Sequence, residues 1–110
     1  MADYLVDDGY AILWRNLRLG AFELDVVARK DDLVAIVEVR TRGEGSFEKP
    51  LESISKAKRR VLLRAADRLF RTRLAKDLSV RRLRIDVAAV SYDDRDQPRV
   101  EHVRGAITQS

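Results

Sequence analysis

Three ionisable residues lie inside apolar, strand-like segments, where such side chains need a partner. Asp25 lies in FELDVVARK, and Glu38 and Arg40 lie in LVAIVEVRTR. An ionised carboxylate is tolerated among apolar neighbours when it is paired with a cation or binds a metal ion. Two carboxylates near one cation therefore predict a divalent-cation site beside a fixed positive charge.

Strand geometry predicts how these side chains are brought together, because successive side chains of a strand point to opposite faces of the sheet. Asp25 is then expected to share its face with Glu23. Glu38 is expected to share its face with Arg40. The apolar residues between them are expected on the other face: Leu24, Val26, Val37 and Val39.

The length and composition predict one globular domain over residues 1–110. The chain has 110 residues, of which 45% are hydrophobic and 36% charged, which is enough for one core but not for two independent ones. The absence of cysteine excludes disulfide frameworks and cysteine nucleophiles. Since no apolar run approaches about 18 residues and the first residues carry acids instead of a signal-peptide pattern, we expect a cytoplasmic protein without a membrane partner.

Positive charge is concentrated in one segment of the chain. The net charge is +4, but residues 56–76 contain nine basic residues and one acid, and the remainder contains 13 basic and 17 acidic residues. This concentration favours nucleic acid as the partner, with a solvated helix face as the alternative. The residues expected to contact nucleic acid are Lys56, Lys58, Arg59, Arg60 and Arg64.

The elements that position these residues follow a mixed α/β order. ADYLVDDGY predicts a short helix ended by Gly9, and AILWRNLRL, FELDVVA and LVAIVEV predict three strands. The last two strands form a hairpin that turns at residues 29–32. Residues 41–50 predict a mobile loop, and Ser53 or Ser55 is expected to cap a long helix. LRIDVAAVSY and RVEHVRGAI predict two further strands, the second at a sheet edge.

The long helix is expected to have an apolar face and a basic face. The apolar face comprises Val61, Leu62, Ala65, Ala66, Leu69 and Phe70, and the basic face comprises Arg60, Arg64, Arg68 and Arg71. Trp14 and Phe22 are interpreted as core residues and not as platforms for nucleic-acid bases. Asp86 is interpreted as a hydrogen-bonded structural acid, unless it faces the acidic cluster. His102, the only histidine, is expected to be packed or at the surface.

Asp25, Glu38 and the basic Arg40 resemble the signature of PD-(D/E)xK nucleases. The whole chain resembles the YraN-like family of predicted endonucleases, which is related in fold to archaeal Holliday junction resolvases. The matching segments are GYAILWRN, FELDVVA, VEVRTR, SKAKRRVL, RIDVAAV and EHVRGAI. The resemblance implies a restriction endonuclease-like core, in which a central mixed sheet of about five strands is flanked by helices.

The resemblance also implies a metal site and a reaction. Asp25 and Glu38, together with the backbone carbonyl of Val39, would hold Mg²⁺ or Mn²⁺. Glu23 would orient the attacking water or share the metal ion. The implied reaction is hydrolysis of phosphodiester bonds in DNA, either branched or single-stranded. A four-way junction substrate would suit a homodimer, because the symmetry of the substrate can match that of the protein.

Arg40 stands where the family usually has lysine, which leaves alternatives open. A guanidinium stays protonated, so Arg40 can stabilise the attacked phosphate but cannot accept a proton from water. Lys58 is a candidate to reach the site and to replace the missing lysine in part, with an ordinary surface lysine as the alternative. Glu48 is expected to add negative charge beside the site. The main interpretation is a metal-dependent endonuclease, and the alternatives are a catalytically weakened nucleic-acid-binding module of the same fold and a protein-interaction domain.

Overall fold

Five strands form one mixed sheet in the order β1-β2-β3-β4-β5 in the computed structural model, which describes residues 1–42 and 49–108. The elements in chain order are α1 (Ala2–Asp7), β1 (Ala11–Leu19), β2 (Phe22–Lys30), β3 (Leu33–Thr41), a 3₁₀ turn (Pro50–Ser53), α2 (Lys56–Leu69), a π-helical turn (Phe70–Leu74), β4 (Arg82–Tyr92) and β5 (Pro98–Ile107). The predicted α/β class and the order of helices and strands are confirmed. No helix in the described ranges is long and apolar enough to span a membrane.

Strand direction follows from the lengths of the connections. β1, β2 and β3 form an antiparallel meander, β3 and β4 are parallel, and β4 and β5 are antiparallel. A parallel pair needs a crossover, and the segment that contains α2 supplies it. The β2–β3 turn is tighter than predicted, because Arg29 and Lys30 still pair with Val34 and Leu33, which leaves Asp31 and Asp32 as the turn.

Two core clusters cover the two faces of the sheet. The larger cluster packs under α2, and its members include Leu24, Val27, Ile36, Leu62, Leu69 and Val87. The smaller cluster packs under α1, and its members include Leu5, Tyr10, Val26, Ala35, Val37 and Ala88. β3 alternates between the two clusters and is buried on both faces, which accounts for its continuous apolar run.

The expectation that Leu24 and Val26 share a face is wrong. Leu24 packs in the cluster under α2, whereas Val26 packs in the cluster under α1. The alternation breaks where Asn16, with φ 49°, lies between the recorded β1–β2 pairs and opposite Asp25. A backbone in the left-handed region bends the strand locally, so a strict two-residue period does not hold there.

Helix α2 begins where a serine cap was predicted and ends in a wider turn. The Ser55 side chain accepts a hydrogen bond from the Lys58 N–H at 3.1 Å. The assignment of Val61 and Phe70 to the apolar face is wrong, because 38% of Val61 and 42% of Phe70 are exposed. Phe70 starts the π-helical turn, whose wider winding displaces the apolar face, and Leu74 is buried instead. Most of the predicted loop, including Glu48, lies outside the described residues.

Candidate metal centre

Asp25 and Glu38 meet where the pairing of β2 and β3 ends. The last recorded pair on this side is Val26 with Val37, and Asp25 and Glu38 are the next residues on each strand. The Asp25 carboxylate oxygen Oδ2 accepts a hydrogen bond from the Val39 N–H at 2.9 Å. The Asp25 side chain thus takes the place of a backbone acceptor in the β2–β3 pairing. This hydrogen bond fixes the Asp25 carboxylate where the pairing ends.

Glu38 is a buried carboxylate in an unfavourable electrostatic environment. It is 5% exposed, and its pKa is raised, first because burial removes hydration from the charged form. The neighbouring Asp25 raises the pKa of Glu38 further through charge repulsion and hydrogen bonding, while Lys58 and Arg40 oppose the shift. The two predicted acids are therefore brought together, and the effects of burial and Asp25 on Glu38 outweigh those of Lys58 and Arg40.

Lys58 reaches Glu38 from the first turn of α2. Its Nζ atom lies 3.7 Å from Glu38 Oε1, and its side chain is partly exposed. The Ser55 cap fixes the start of the helix and so places Lys58 over the face of the sheet that α2 covers. The predicted approach of Lys58 to the acidic cluster is therefore present, although the distance is that of a loose ion pair.

Arg40 holds the turn that precedes α2. Its Nη2 atom donates a hydrogen bond to the Ser53 carbonyl at 2.9 Å. Arg59, from α2, donates from Nη2 to the Leu51 carbonyl at 3.0 Å. The Nε atoms of both arginines are buried without a hydrogen-bond partner among the described residues. Both side chains therefore tie the Pro50–Ser53 turn to the sheet and the helix.

The other predicted site residues are distributed differently. Glu23 is exposed, and its ion-pair partner is Arg18, at 3.8 Å. Of the residues expected to contact nucleic acid, Lys56, Arg60 and Arg64 are exposed, and Lys58 and Arg59 are half-buried. Sequence reasoning placed Arg59 on an open surface because it could not foresee the carbonyl of the turn.

The pair of carboxylates fits a hard divalent cation. No group of three or more acidic, histidine or cysteine side chains suited to a metal ion occurs within residues 1–42 and 49–108. Magnesium needs only one or two carboxylates, because it retains several waters. A cation between Asp25 and Glu38 would remove the repulsion that raises the pKa of Glu38. Asp25 and Glu38 are therefore the residues that could hold a metal ion.

A second buried carboxylate, Asp86, lies on the opposite face of the sheet. Asp86 pairs with Val37 in the β3–β4 ladder, and Val87 pairs with Glu38. Asp86 is fully buried. It accepts hydrogen bonds from Arg84 at 2.7 and 2.8 Å and from the Gly105 N–H at 2.9 Å, and it lies 2.8 Å from His102 Nε2.

These contacts determine the direction in which the pKa of Asp86 is shifted. Burial acts to raise its pKa, but the bonds from Arg84, Gly105 and His102 outweigh burial and lower it. The network extends to Tyr10, whose hydroxyl accepts from Arg84 Nη2 at 2.7 Å, and to Tyr4, whose hydroxyl lies 3.1 Å from His102 Nδ1. Asp86 is thus a structural acid, as predicted. His102 is packed, with 2% of its side chain exposed.

Sequence reasoning missed this network and two arginine–aromatic contacts. Arg84 and Asp86 are two residues apart on one strand, so a shared face was a signal that could have been used. The Arg68 guanidinium lies 5.6 Å from the centre of the Phe22 ring. The Arg73 guanidinium lies 5.9 Å from the centre of the Trp14 ring. Both rings pack against the core under α2, as predicted.

Comparison with known proteins identifies a family. Residues 1–90 match the model of the family described as "Uncharacterised protein family UPF0102". A UPF0102 protein of Sorangium cellulosum is 41% identical over 103 residues, which cover 94% of this chain and 72% of the relative. UPF0102 proteins of an Arthrobacter species and of Moorella thermoacetica are each 39% identical, over 94% and 96% of this chain, and 86% of each relative is covered.

Proposed function

This chain belongs to the UPF0102 family, and we propose that it is a metal-dependent DNA endonuclease that hydrolyses phosphodiester bonds. The observation that carries the proposal is the juxtaposition of two carboxylates, Asp25 and the buried Glu38, where the β2–β3 pairing ends. Burial and the neighbouring Asp25 raise the pKa of Glu38, and carboxylates perturbed in this way are concentrated at functional sites. The resemblance of Asp25, Glu38 and Arg40 to the PD-(D/E)xK signature supports the same activity.

Asp25 and Glu38 would hold the metal ion, Mg²⁺ or Mn²⁺, and the Val39 carbonyl would be a further ligand. When bound, such an ion lowers the pKa of a coordinated water and neutralises charge on phosphate oxygens. The hydrogen bond from the Val39 N–H fixes the Asp25 carboxylate at the place where the ion would bind. Glu23, which is exposed on β2 and paired with Arg18 at 3.8 Å, would orient the attacking water or share the metal ion.

The positive charges near Glu38 would act on the phosphate. Lys58 Nζ, 3.7 Å from Glu38, is loosely held and partly exposed, so it would turn towards an anion once a bound metal ion balanced the charge of Glu38. Arg40 donates one N–H group to Ser53, and the guanidinium has five N–H donors in total. We therefore assign the main contact with the phosphate to Lys58, and a supporting charge to Arg40.

Cleavage with matched variants tests the proposal. Purified protein is incubated with linear, flapped and four-way DNA in the presence of Mg²⁺ or Mn²⁺. We expect metal-dependent cleavage by the wild type and a loss of about a hundredfold or more in Asp25→Asn, Glu38→Gln and Lys58→Ala. Glu101→Gln, an exposed carboxylate on β5, is the control and should retain activity. Intact DNA under all these conditions would overturn the proposal.

One observation favours a second candidate, a nucleic-acid-binding module without catalysis. Arg40 is engaged by the Ser53 carbonyl and cannot serve as a base. Such a module would bind DNA through the basic face of α2 and leave it uncut. Its affinity would fall steeply with rising salt, because each neutralised phosphate releases counterions.

A further inference from the structure

Two arginine–aromatic pairs lie along the surface between α2 and the first hairpin. Arg68 is paired with Phe22, and Arg73 is paired with Trp14, with guanidinium-to-ring distances of 5.6 and 5.9 Å. Both arginines are exposed and both rings are partly buried. Each pair therefore presents a flat cation and a flat ring, held in place by the core, at the surface. We call these four residues the stacking strip.

The stacking strip runs past the candidate metal centre. Phe22 lies three residues before Asp25 on β2, and Trp14 pairs with Val27, two residues after Asp25. At strand rise, positions 22 and 27 are roughly 17 Å apart. The rings pack against the cluster under α2, on the sheet face from which Lys58 reaches Glu38. The strip therefore lies on the sheet face that carries Lys58, and along β2 its two rings bracket the position of Asp25.

We propose that the stacking strip binds single-stranded nucleic acid through its bases. The inference deepens the proposed function and depends on its premise that the substrate is nucleic acid. Aromatic rings and guanidinium planes stack on unpaired bases, whereas the bases of an intact duplex are stacked on each other. The two arginines of the strip also belong to the segment with the positive excess, since residues 56–76 carry nine basic residues against one acid.

The chain contains an internal control for charge. Arg60 and Arg64 are exposed on the same helix, and neither has an aromatic partner among the described residues. If nucleic acid bound through charge alone, all four arginines would contribute in the same way. Stacking predicts that Arg68 and Arg73 differ from Arg60 and Arg64 even when every positive charge is kept.

Trp14 provides a direct readout, because it is the only tryptophan of the chain. Intrinsic fluorescence is measured in EDTA, so that cleavage cannot occur, while a thymidine oligonucleotide of about 12 nucleotides is added. We expect saturable quenching of Trp14 by the single strand. A duplex of equal length should give little quenching even where anisotropy shows that it binds.

Charge-conserving variants test the same point without disturbing the core. We expect Arg68→Lys with Arg73→Lys to weaken single-strand binding at least about fivefold, which corresponds to roughly 1 kcal/mol of lost stacking. Arg60→Lys with Arg64→Lys should change the affinity by less than about twofold. The dependence of affinity on salt should be the same in both double variants, because the number of positive charges is unchanged. Circular dichroism checks that each variant is folded.

The outcomes separate this inference from the proposed function. Equal effects of the two double variants, or single-strand binding without quenching of Trp14, would overturn the stacking strip alone. Binding and quenching without cleavage in magnesium or manganese would overturn the nuclease proposal and keep the strip. Failure to bind any nucleic acid would overturn both.

Discussion

Glu38 and Asp86 are both buried carboxylates on adjacent central strands, but their electrostatic environments are opposite. Glu38 is repelled by Asp25 and has Lys58 at 3.7 Å, and its pKa is raised. Asp86 accepts hydrogen bonds from Arg84 and from the Gly105 N–H and contacts His102, and its pKa is lowered. Burial is common to both, so the number of donors decides whether a buried acid stabilises the fold or remains available for a ligand.

In both regions a carboxylate accepts a hydrogen bond from a backbone N–H group where the strand pairing is interrupted. Asp25 accepts the Val39 N–H where the β2–β3 pairing ends. Asp86 accepts the Gly105 N–H where the β4–β5 register shifts between Ile85 and Val87. In each case an interrupted ladder releases a backbone donor to a carboxylate. The Asp86 region then adds enough donors to satisfy the acid, and the Glu38 region does not.

The largest expected effect on stability comes from substitution of Asp86, the buried acid whose carboxylate is hydrogen-bonded. Asp86→Asn should lower the free energy of unfolding by about 3–5 kcal/mol, because it breaks the ion pair of a fully buried carboxylate and an amide nitrogen cannot accept the hydrogen bonds of Arg84 and His102. Urea denaturation at neutral pH measures the change. Asp94→Asn, which changes an exposed acid in the turn before β5, is the control and should stay within about 0.5 kcal/mol of the wild type. An Asp86→Asn variant of wild-type stability would contradict the structural role of the network.

A divalent cation should stabilise the fold by binding between Asp25 and Glu38. At a Mn²⁺ concentration of 100 times its Kd, the free energy of unfolding should rise by about 2.7 kcal/mol. The increase should be absent in Asp25→Asn and retained in Glu101→Gln. Thermal unfolding with and without Mn²⁺, with Kd from titration calorimetry, measures both. An increase of equal size in Asp25→Asn would place the metal ion elsewhere.

Removing the charge of Glu38 should stabilise the fold, in contrast to Asp86. Glu38→Gln is expected to raise the free energy of unfolding by about 1 kcal/mol at neutral pH. Because the folded-state pKa of Glu38 is raised, the cost of its charge is absent below the ordinary glutamate pKa and develops as the pH rises through the folded value. The gain should therefore vanish in acid. Denaturation across the acid range measures it, and a gain that grew as the pH fell would contradict the sign.

The smallest expected effect concerns Arg40. Arg40→Lys keeps the charge but removes the guanidinium that donates to Ser53, so we expect a loss of about 0.5 kcal/mol of stability. Cleavage, if present in the wild type, should fall as well, because the Pro50–Ser53 turn leads into the helix that carries Lys58. A gain in cleavage would contradict this expectation. It would mean that lysine at position 40 favours catalysis even without the hydrogen bond to Ser53.

Much of the fold was predictable from local patterns, and much of the site was not. Glu38 was found because an acid interrupts a run of valines, and the β2–β3 hairpin was found because its strands are short and joined by polar residues. The face of Leu24 was assigned wrongly because the bend at Asn16 leaves no clear signal in composition. The partners of Asp86 escaped because His102 comes from another strand and its approach depends on the β5 register.

The bends at Asn16 and Gly105 have a consequence for solution behaviour. Both residues have positive φ, and they lie in β1 and β5, the two edge strands of the open sheet. A long, regular edge is a template on which further copies add strands and fibrils grow. Each bend interrupts such a template. We therefore expect the chain to resist edge-to-edge aggregation at high concentration, and any homodimer to form through a surface other than the sheet edges.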